Sequence, residues 1–428
     1  MKKFTKTQVK LEKIVGGGQA IGTLEDGQRM FVWGGLPGET VIAEVTKKKS
    51  RYAEGVVTEV IDASPERIEP KDVESYLSTS PWQIMSLDTE QGAKAQHIDE
   101  AFELHGITLD DATEVFTDNK EYAYRNKVEY SFWFDTDTES LSLAFFRRGT
   151  HGKIPVDRTS LAHPSINEKA KEVLAILNKN HIEGRALKTL LIRCNSDGET
   201  AWQLYVKDKP FPVKIFDELL VSGERGEVMY SNPRSPASVI TAPLTKRVEP
   251  LSDTLRGIEF HYATEGFFQI NLPVYDQALS DMEEWVPKDK PAVDFYSGVG
   301  TIGLTIGGDQ ATLVEINEFA VHEMERNIKK LNSSAVAVLA PSERALEYIT
   351  PDKTIIVDPP RAGLHTDVID RLIEVLPERI VYLSCNPVTQ ARDVALLKEK
   401  YAVKAHKGYN FFPRTPHTEH LVILDLIV

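Results

Sequence analysis

Short apolar runs alternate with helix-like segments through the last third of the chain, and this alternation restricts the possible folds more than any other feature. Segments such as EFAVHEMERNIKKLN and DVIDRLIEVLPE separate the first five apolar runs. Strands that alternate with helices are typical of a doubly wound, largely parallel α/β sheet, and we expect the last run to add an antiparallel strand. The strand-like runs are AVDFYS, ATLVEIN, AVAVLA, TIIVDPP, RIVYLSC, YAVKAHKGYN and HLVILDLIV.

Two further parts precede this α/β domain, which we place at residues 261–428. Residues 1–65 contain short strand-like stretches and Gly-rich turns, which suit a small barrel of the oligonucleotide-binding type. Residues 66–260 begin with a charged, Pro-rich linker and a helical stretch, and then become mainly strand-like with a second helix. This pattern predicts a central α+β domain. Three domains are a reasonable number for 428 residues.

Composition limits the class of protein but leaves its partner open. Two cysteines cannot build a disulfide framework or by themselves hold a zinc ion, so we expect no metal site and a reducing, cytoplasmic setting. No apolar run is long enough to cross a bilayer, and the first residues lack a signal peptide's apolar core. The net charge of −14 argues weakly against a general nucleic-acid coat, although residues 1–60 carry an excess of basic side chains.

A glycine-rich loop opens the α/β domain. The stretch VDFYSGVGTIGL places Gly298 and Gly300 after a strand and before a helix, where the backbone can approach a ligand closely. Glu315 ends the next strand-like run and could accept both hydroxyls of a ribose. This pattern fits a nicotinamide dehydrogenase as well as a methyltransferase that binds S-adenosylmethionine, and a tight turn that needs glycine for steric reasons is the structural alternative.

The stretch VDPPRAGL favours the methyltransferase. Asp358 followed by two prolines and Arg361 would form a rigid lip at the carboxyl end of a strand, beside the cofactor crevice. A dehydrogenase would instead need a hydride-transfer site after its glycine loop. An ordinary Asp-Pro turn is the alternative interpretation.

A lone cysteine, Cys385, follows the next strand-like run. A thiolate at this edge could add to C6 of a uracil ring, which would turn C5 into a carbon nucleophile for a methyl group. A base must then remove the C5 proton, and Glu419 or His417 in the stretch FPRTPHTE could do so. Most lone cysteines are buried and structural, and we interpret Cys194 in this way.

Four motifs in this order, DFYSGVGTIGL, VDPPRAGL, YLSCNPVTQARD and FPRTPHTE, resemble the RNA uracil-5 methyltransferases that use S-adenosylmethionine. The first sixty residues resemble the TRAM domain of the rRNA-modifying branch, and the stretches YRNKVEYSFW, LAFFRRGTH and EGFFQIN also match the family. The resemblance implies a Rossmann-like catalytic domain, Cys385 as nucleophile and Glu419 as base. It further implies that four residues contact S-adenosylmethionine, namely Gln269, Tyr296, Glu315 and Asp358.

The chain departs from this family at one point. Many TRAM-bearing relatives hold an iron–sulfur cluster with four cysteines, but the matching stretches here, YLSTSPWQIMSLDTEQ and DRTSLAHP, contain none. We therefore expect no cluster, and polar or packed residues in its place.

The resemblance implies a monomeric enzyme that methylates C5 of a uridine in RNA, with rRNA the first choice of substrate and tRNA the second. RNA cytosine-5 methylation and a non-catalytic RNA-binding protein are the alternatives. Three clusters of aromatic and basic residues are candidates for RNA contact. They are Phe145, Phe146, Arg147, Arg148 and His151; Tyr124, Arg125 and Lys127; and Lys47, Lys48, Lys49, Arg51 and Tyr52.

Overall fold

A computed structural model describes residues 5–150, 152–221 and 223–427, so His151 lies outside the described residues. The chain divides into two compact units. One comprises residues 1–93, 120–249 and 413–416, and the other comprises residues 94–119, 250–412 and 417–428. The predicted boundaries at 65 and 260 stay a prediction.

The first unit begins with the predicted barrel. Its five strands close in the order β1-β2-β3-β5-β4, and the alternating burial of β3 and β4 places one face of each strand in an apolar core. The strands are β1 (Lys6–Ile14), β2 (Ala20–Thr23), β3 (Arg29–Trp33), β4 (Thr40–Lys48) and β5 (Tyr52–Asp62).

The segment after the barrel contains helices α1 to α4, the short strand β6 and the strands of a second sheet. The sheet has seven strands in the order β13-β12-β11-β10-β7-β8-β9, and helix α3 packs on it around an apolar cluster. The helical stretch predicted after the linker corresponds to α2, which begins at Leu87. The elements are α1 (Tyr76–Thr79), α2 (Leu87–Leu104), β6 (Val115–Phe116), β7 (Lys127–Asp135), β8 (Ser140–Phe146), β9 (Lys153–Val156), α3 (Pro164–Lys179), β10 (Leu187–Cys194), β11 (Thr200–Val206), α4 (Asp217–Val221), β12 (Arg225–Tyr230) and β13 (Ala242–Pro243).

The second unit contains the predicted doubly wound sheet. Its eight strands follow the order β18-β17-β16-β19-β20-β22-β21-β6; β16 to β20 are parallel, and β22 is antiparallel to both of its neighbours. The elements are β14 (Leu251–Leu255), β15 (Ile258–Tyr262), α5 (Leu272–Glu283), β16 (Ala292–Phe295), α6 (Thr301–Ile306), β17 (Thr312–Glu315), α7 (Glu318–Leu331), β18 (Val336–Leu339), β19 (Thr354–Val357), α8 (Thr366–Val375), β20 (Arg379–Ser384), α9 (Pro387–Leu397), β21 (Tyr401–Tyr409) and β22 (Glu419–Leu426).

The strand order of this sheet determines which of its edges can hold an active site. Strands β16, β19 and β20 are fully buried or nearly so, and all three end at the same edge of the sheet. The glycine loop, the Asp358 lip and Cys385 follow these three strands in turn. In a doubly wound sheet this carboxyl edge is where ligands bind, so the fold brings the three predicted motifs to one place.

Candidate active site

The glycine loop has the backbone conformation that its sequence predicts. Gly298 and Gly300 have φ values of 57° and 89°, a region that side chains with a Cβ disfavour. Tyr296, just before them, also has a positive φ of 65°, and its hydroxyl hydrogen-bonds to that of Ser342 at 2.8 Å. A non-glycine residue in this conformation is held there by its surroundings, and such positions concentrate at functional sites.

Glu315 is tied to this loop. One carboxylate oxygen accepts a hydrogen bond from the backbone N–H of Gly298 at 3.0 Å, and the other accepts from the N–H of Asn317 at 2.8 Å. The side chain is half-buried at the end of β17. These bonds fix a carboxylate beside the loop, as expected for a group that binds ribose hydroxyls.

A shallow cavity opens beside the loop, with about 320 Å³ of empty space that includes open solvent. It includes four of the residues singled out in the sequence, Gln269, Tyr296, Gly298 and Asp358, whereas Gly300 and Glu315 lie outside its lining. Gln269 is buried, with 7% of its surface exposed. The lining consists of Phe267, Phe268, Gln269, Tyr275, Tyr296, Ser297, Gly298, Val299, Thr301, Ile302 and Asp358.

Cys385 and Glu419 come together through the pairing of β20 with β22. Ser384 pairs with His420 in this antiparallel ladder, so continuing the register by one residue sets Cys385 opposite Glu419. Cys385 is partly exposed, whereas Cys194 is 1% exposed in the core of the first unit, as predicted. Glu419 is the first residue of β22 and is 4% exposed.

The electrostatics of this pair are unusual. Burial raises the pKa of the Cys385 thiol to about 12, and the negative charges of Glu419 and Asp358 act in the same direction, while Arg361 opposes them. Burial also raises the pKa of Glu419 well above its usual range, and Asp358 adds to this shift. The pKa of Asp358 rises for the same primary reason, its burial. Three acidic groups therefore share one poorly solvated site.

Three residues of this region were missed by sequence reasoning. Asp294 is fully buried; one carboxyl oxygen accepts from the N–H of Gly303 at 2.9 Å, the other has no hydrogen-bond partner, and burial raises its pKa to about 8. Asn327 on α7 donates to the carbonyl of Val299 at 3.1 Å, inside the glycine loop. Phe267 leaves an aromatic ring 67% exposed at the cavity. Of these three residues, only Asp294 and Phe267 could have been singled out from the sequence, because they lie in the motifs VDFYSGVGTIGL and EGFFQIN.

Three of the candidate RNA contacts make contacts within the protein. Tyr124 is 6% exposed and its hydroxyl donates to the carbonyl of Pro413 at 2.9 Å. Phe145 stacks on the buried ring of Tyr130, with centroids 5.3 Å apart. The Arg148 guanidinium lies 4.1 Å from the ring of Trp33. Tyr124 is buried and the expectation for it was wrong, whereas Phe145 and Arg148 are half-buried and their contact with RNA stays a prediction.

Other candidates for RNA contact remain open to solvent. Phe146 is 57% exposed with the ammonium of Lys153 at 5.3 Å from its ring. In the barrel, Lys47 pairs with Glu54 at 2.6 Å and lies 5.6 Å from the ring of Tyr52. Arg147, Lys48, Lys49 and Arg51 are exposed.

Two expectations from the sequence concern metal binding and membrane insertion. Within the described part of the chain, no group of three His, Cys, Asp or Glu side chains is arranged to hold a metal ion. No helix among those same residues has the length and apolarity needed to span a bilayer.

Comparisons with known proteins agree with the motifs. Residues 345–427 match the family model for tRNA (Uracil-5-)-methyltransferase, and residues 2–58 match the TRAM domain. A relative in Fusobacterium nucleatum, named an uncharacterized RNA methyltransferase, is 29% identical over 98% of this chain and 95% of its own. One of the same name in Lactobacillus johnsonii is 28% identical over 94% of each chain.

A solved structure shares the fold. The Pyrococcus abyssi tRNA (uracil-54, C5)-methyltransferase, solved in complex with S-adenosyl-L-homocysteine, superposes with a TM-score of 0.77 and 24% identity. The match covers 98% of this chain and all of the other. The barrel and the Rossmann-like domain inferred from the sequence are thereby confirmed.

Proposed function

We propose that the chain is a TRAM-bearing member of the RNA (uracil-5-)-methyltransferase family and that it methylates C5 of a uridine through a covalent bond between Cys385 and C6. The proposal rests on the strand register: Ser384 pairs with His420, so the next residue, Cys385, lies opposite Glu419. Asp358 interacts with both side chains and also lines the cavity. A nucleophile and a base are thus assembled at the carboxyl edge of the sheet.

The residues at the cavity fit S-adenosylmethionine. The methyl group of this cofactor is carried on a sulfonium, a positive charge that suits a site with several carboxylates. Glu315 would accept the ribose hydroxyls, and the glycine loop, which has no side chains at Gly298 and Gly300, would let the rest of the nucleoside approach its backbone. Gln269, Tyr296 and Asp358 line the same cavity and would contact the amino-acid part and the base.

The reaction then follows from the two side chains. The thiolate of Cys385 forms a bond to C6 of the uracil, and the electron pair of the 5,6 double bond is delocalised onto C5 and O4. C5 forms a bond to the methyl carbon as the bond from that carbon to sulfur breaks. Glu419 takes the proton from C5, the double bond reforms, and the bond between C6 and the thiolate breaks.

The raised pKa of Glu419 suits this role because a carboxylate with a higher pKa is a stronger base. Its burial disfavours the charged form, so the deprotonated carboxylate gains free energy when it accepts a carbon-bound proton. The same burial protects the intermediate from water. His417 is exposed and is therefore the weaker candidate for the base.

RNA is the substrate class, and the target uridine must leave its stack before C5 and C6 can be reached. The exposed ring of Phe267 at the cavity could stack on the displaced base, with a gain of about 1–3 kcal/mol. We propose rRNA as the target. tRNA is the second candidate, because the matching family model and the Pyrococcus abyssi relative both carry tRNA in their names. Both RNAs fit the proposed cytoplasmic, monomeric enzyme.

The test is methyl transfer from labelled S-adenosylmethionine to unmodified rRNA and tRNA, followed by nucleoside analysis. We expect label in 5-methyluridine from one RNA class, no turnover in Cys385→Ser, and full turnover in Cys194→Ser. Label in 5-methylcytidine would replace the proposal with cytosine methylation. Tight RNA binding without transfer to either RNA would make the chain a non-catalytic RNA-binding protein.

A further inference from the structure

The group of acids around Cys385 contains one cation that the proposed mechanism does not use. The charged groups that interact with the thiol are Glu419 on β22 and, in the lip after β19, Asp358 and Arg361. Arg361 also interacts with Glu419. A thiolate is the nucleophile in the proposed reaction, and it would form beside two carboxylates, so the position of the one positive charge matters.

The backbone of Arg361 is fixed to the segment that follows Cys385. Its carbonyl oxygen accepts a hydrogen bond from the side-chain amide of Asn386 at 2.9 Å and another from the hydroxyl of Thr389 at 3.1 Å. Asn386 is adjacent to Cys385 in the chain and caps α9, where it accepts from the N–H of Val388. The lip therefore cannot move away from the thiol without breaking both bonds.

The side chain of Arg361 is fixed from the other side. One guanidinium nitrogen lies 2.7 Å from Nδ1 of His417, two residues before Glu419. A guanidinium can only donate, so a ring nitrogen of a neutral imidazole is the acceptor; Nδ1 is the nearer one, and Nε2 lies 3.4 Å from the same guanidinium nitrogen. Arg361 thus connects the segment that carries the nucleophile to the segment that carries the proposed base.

We propose that Arg361 is a positioning residue that stabilises the thiolate of Cys385, and that neutral His417 holds its guanidinium in place. The inference rests on the proposed role of Cys385 but concerns the thiol itself, without RNA or cofactor. Protonation of His417 would remove the acceptor and place two cations side by side.

The experiment measures alkylation of Cys385 by iodoacetamide in the full chain. The chain suits this measurement because its other cysteine, Cys194, is 1% exposed, and Cys385→Ser gives the background. Well below the pKa of a thiol, the alkylation rate is proportional to the thiolate fraction. A rise of one unit in the pKa therefore slows alkylation tenfold at fixed pH.

We expect Arg361→Ala to slow alkylation at pH 8.5 by about tenfold, since a neighbouring opposite charge shifts a pKa by about one unit or more. Arg361→Lys retains the charge and should recover most of the rate. The matched control is Arg371→Ala, which removes an arginine paired with Glu374 on α8. Circular dichroism and thermal melting check that each variant is folded. Equal rates in folded Arg361→Ala and the parent would overturn the proposal.

His417 is tested with two variants. His417→Gln keeps an acceptor that does not titrate, and His417→Ala removes it. We expect the alkylation rate of His417→Gln to stay within about twofold of the parent, and that of His417→Ala to fall several-fold. Equal rates in the parent and His417→Ala would exclude the holding role of His417. A parent that fails to methylate RNA while showing these alkylation differences would disprove the proposed function and leave this inference standing.

Discussion

Buried acidic groups in the two units of the chain have opposite environments. In the first unit, Glu39 is fully buried and accepts hydrogen bonds from Arg67 at 2.5 and 2.7 Å and from the N–H of Leu36 at 2.8 Å. Burial alone would raise the pKa of Glu39, but these bonds outweigh it and hold the pKa below its usual value. In the second unit, burial keeps the pKa of Glu419 well above its usual value.

A second carboxylate in the first unit, that of the half-buried Asp72, is also held by several hydrogen bonds. The carboxylate of Asp72 accepts from the N–H and hydroxyl of Ser160, the latter at 2.8 Å, and from the amide of Gln83 at 3.0 Å. Gln83 and Ser160 belong to the two stretches in which related enzymes would place cluster-binding cysteines. Hydrogen bonds among fixed partners hold these stretches together here, as expected when thiolates are absent.

This difference distinguishes hydrogen-bonded buried carboxylates, which stabilise the fold, from the buried carboxylates that we propose take part in the reaction. A paired carboxylate lowers the free energy of the folded state and has no reason to accept another proton. A carboxylate placed near other acids is costly to ionise and is therefore reactive. Four predictions follow from this contrast, with the largest effect first.

Glu419→Gln should reduce turnover by at least about a hundredfold, because the C5 proton loses its acceptor. Methyl transfer would still occur, so the protein should remain bonded to the methylated RNA. Denaturing gel electrophoresis with labelled RNA detects this adduct as a slower band. The band should vanish in the double variant with Cys385→Ala, and its absence from Glu419→Gln itself would point to another base.

Arg67→Met should destabilise the protein by about 3 kcal/mol, because it leaves the Glu39 carboxylate buried without its cation. The matched control is Arg29→Met in the same barrel, which breaks an exposed pair with Glu12 and should cost less than about 1 kcal/mol. Urea titration measures both. Equal losses in the two variants would show that burial does not distinguish the pairs.

The pH dependence of stability should differ in sign between the two units. The folded pKa of Asp358 is raised to about 7, so the folded chain holds a proton that the unfolded chain has released, and stability falls as pH rises from about 4 to about 7. Asp358→Asn removes this loss, and its free energy of unfolding should exceed that of the parent by about 2 kcal/mol across that window.

Glu39 has a lowered pKa, so its contribution to the free energy of unfolding is present above about pH 4.5 and is lost as pH falls through its folded pKa. Relative to the parent, Glu39→Gln should therefore be destabilised above that pH. Thermal melting at pH 4 and pH 7 separates the two cases.

Asn327→Ala should weaken S-adenosylmethionine binding about fivefold, since it removes a neutral hydrogen bond to the glycine loop worth about 1 kcal/mol. Alkylation of Cys385 should be unchanged. Isothermal titration calorimetry provides the dissociation constant, and Asn180→Ala, at the residue that caps the C-terminus of α3 in the other unit, serves as the control. A loss of thiol reactivity in Asn327→Ala would mean that the loop and the thiol are not independent.

The sequence by itself determined the elements and the motifs that lie within them. Alternating apolar runs predict the doubly wound sheet. Glu315 ends a strand, and Gly298, Asp358 and Cys385 each follow one, because residue patterns of a few positions decide local structure. The antiparallel last strand was also correctly predicted. These features depend on neighbours in the chain and are therefore readable from it.

Only the tertiary structure decided which distant side chains meet. The pairing of β20 with β22 places Ser384 opposite His420 and so brings Cys385 next to Glu419, and packing buries Tyr124, which the sequence offered as an RNA contact. Arg361 reaches His417 across 56 positions of the chain. Such contacts depend on register and on the filling of a core, and both are set by the whole folded chain rather than by any short stretch of it.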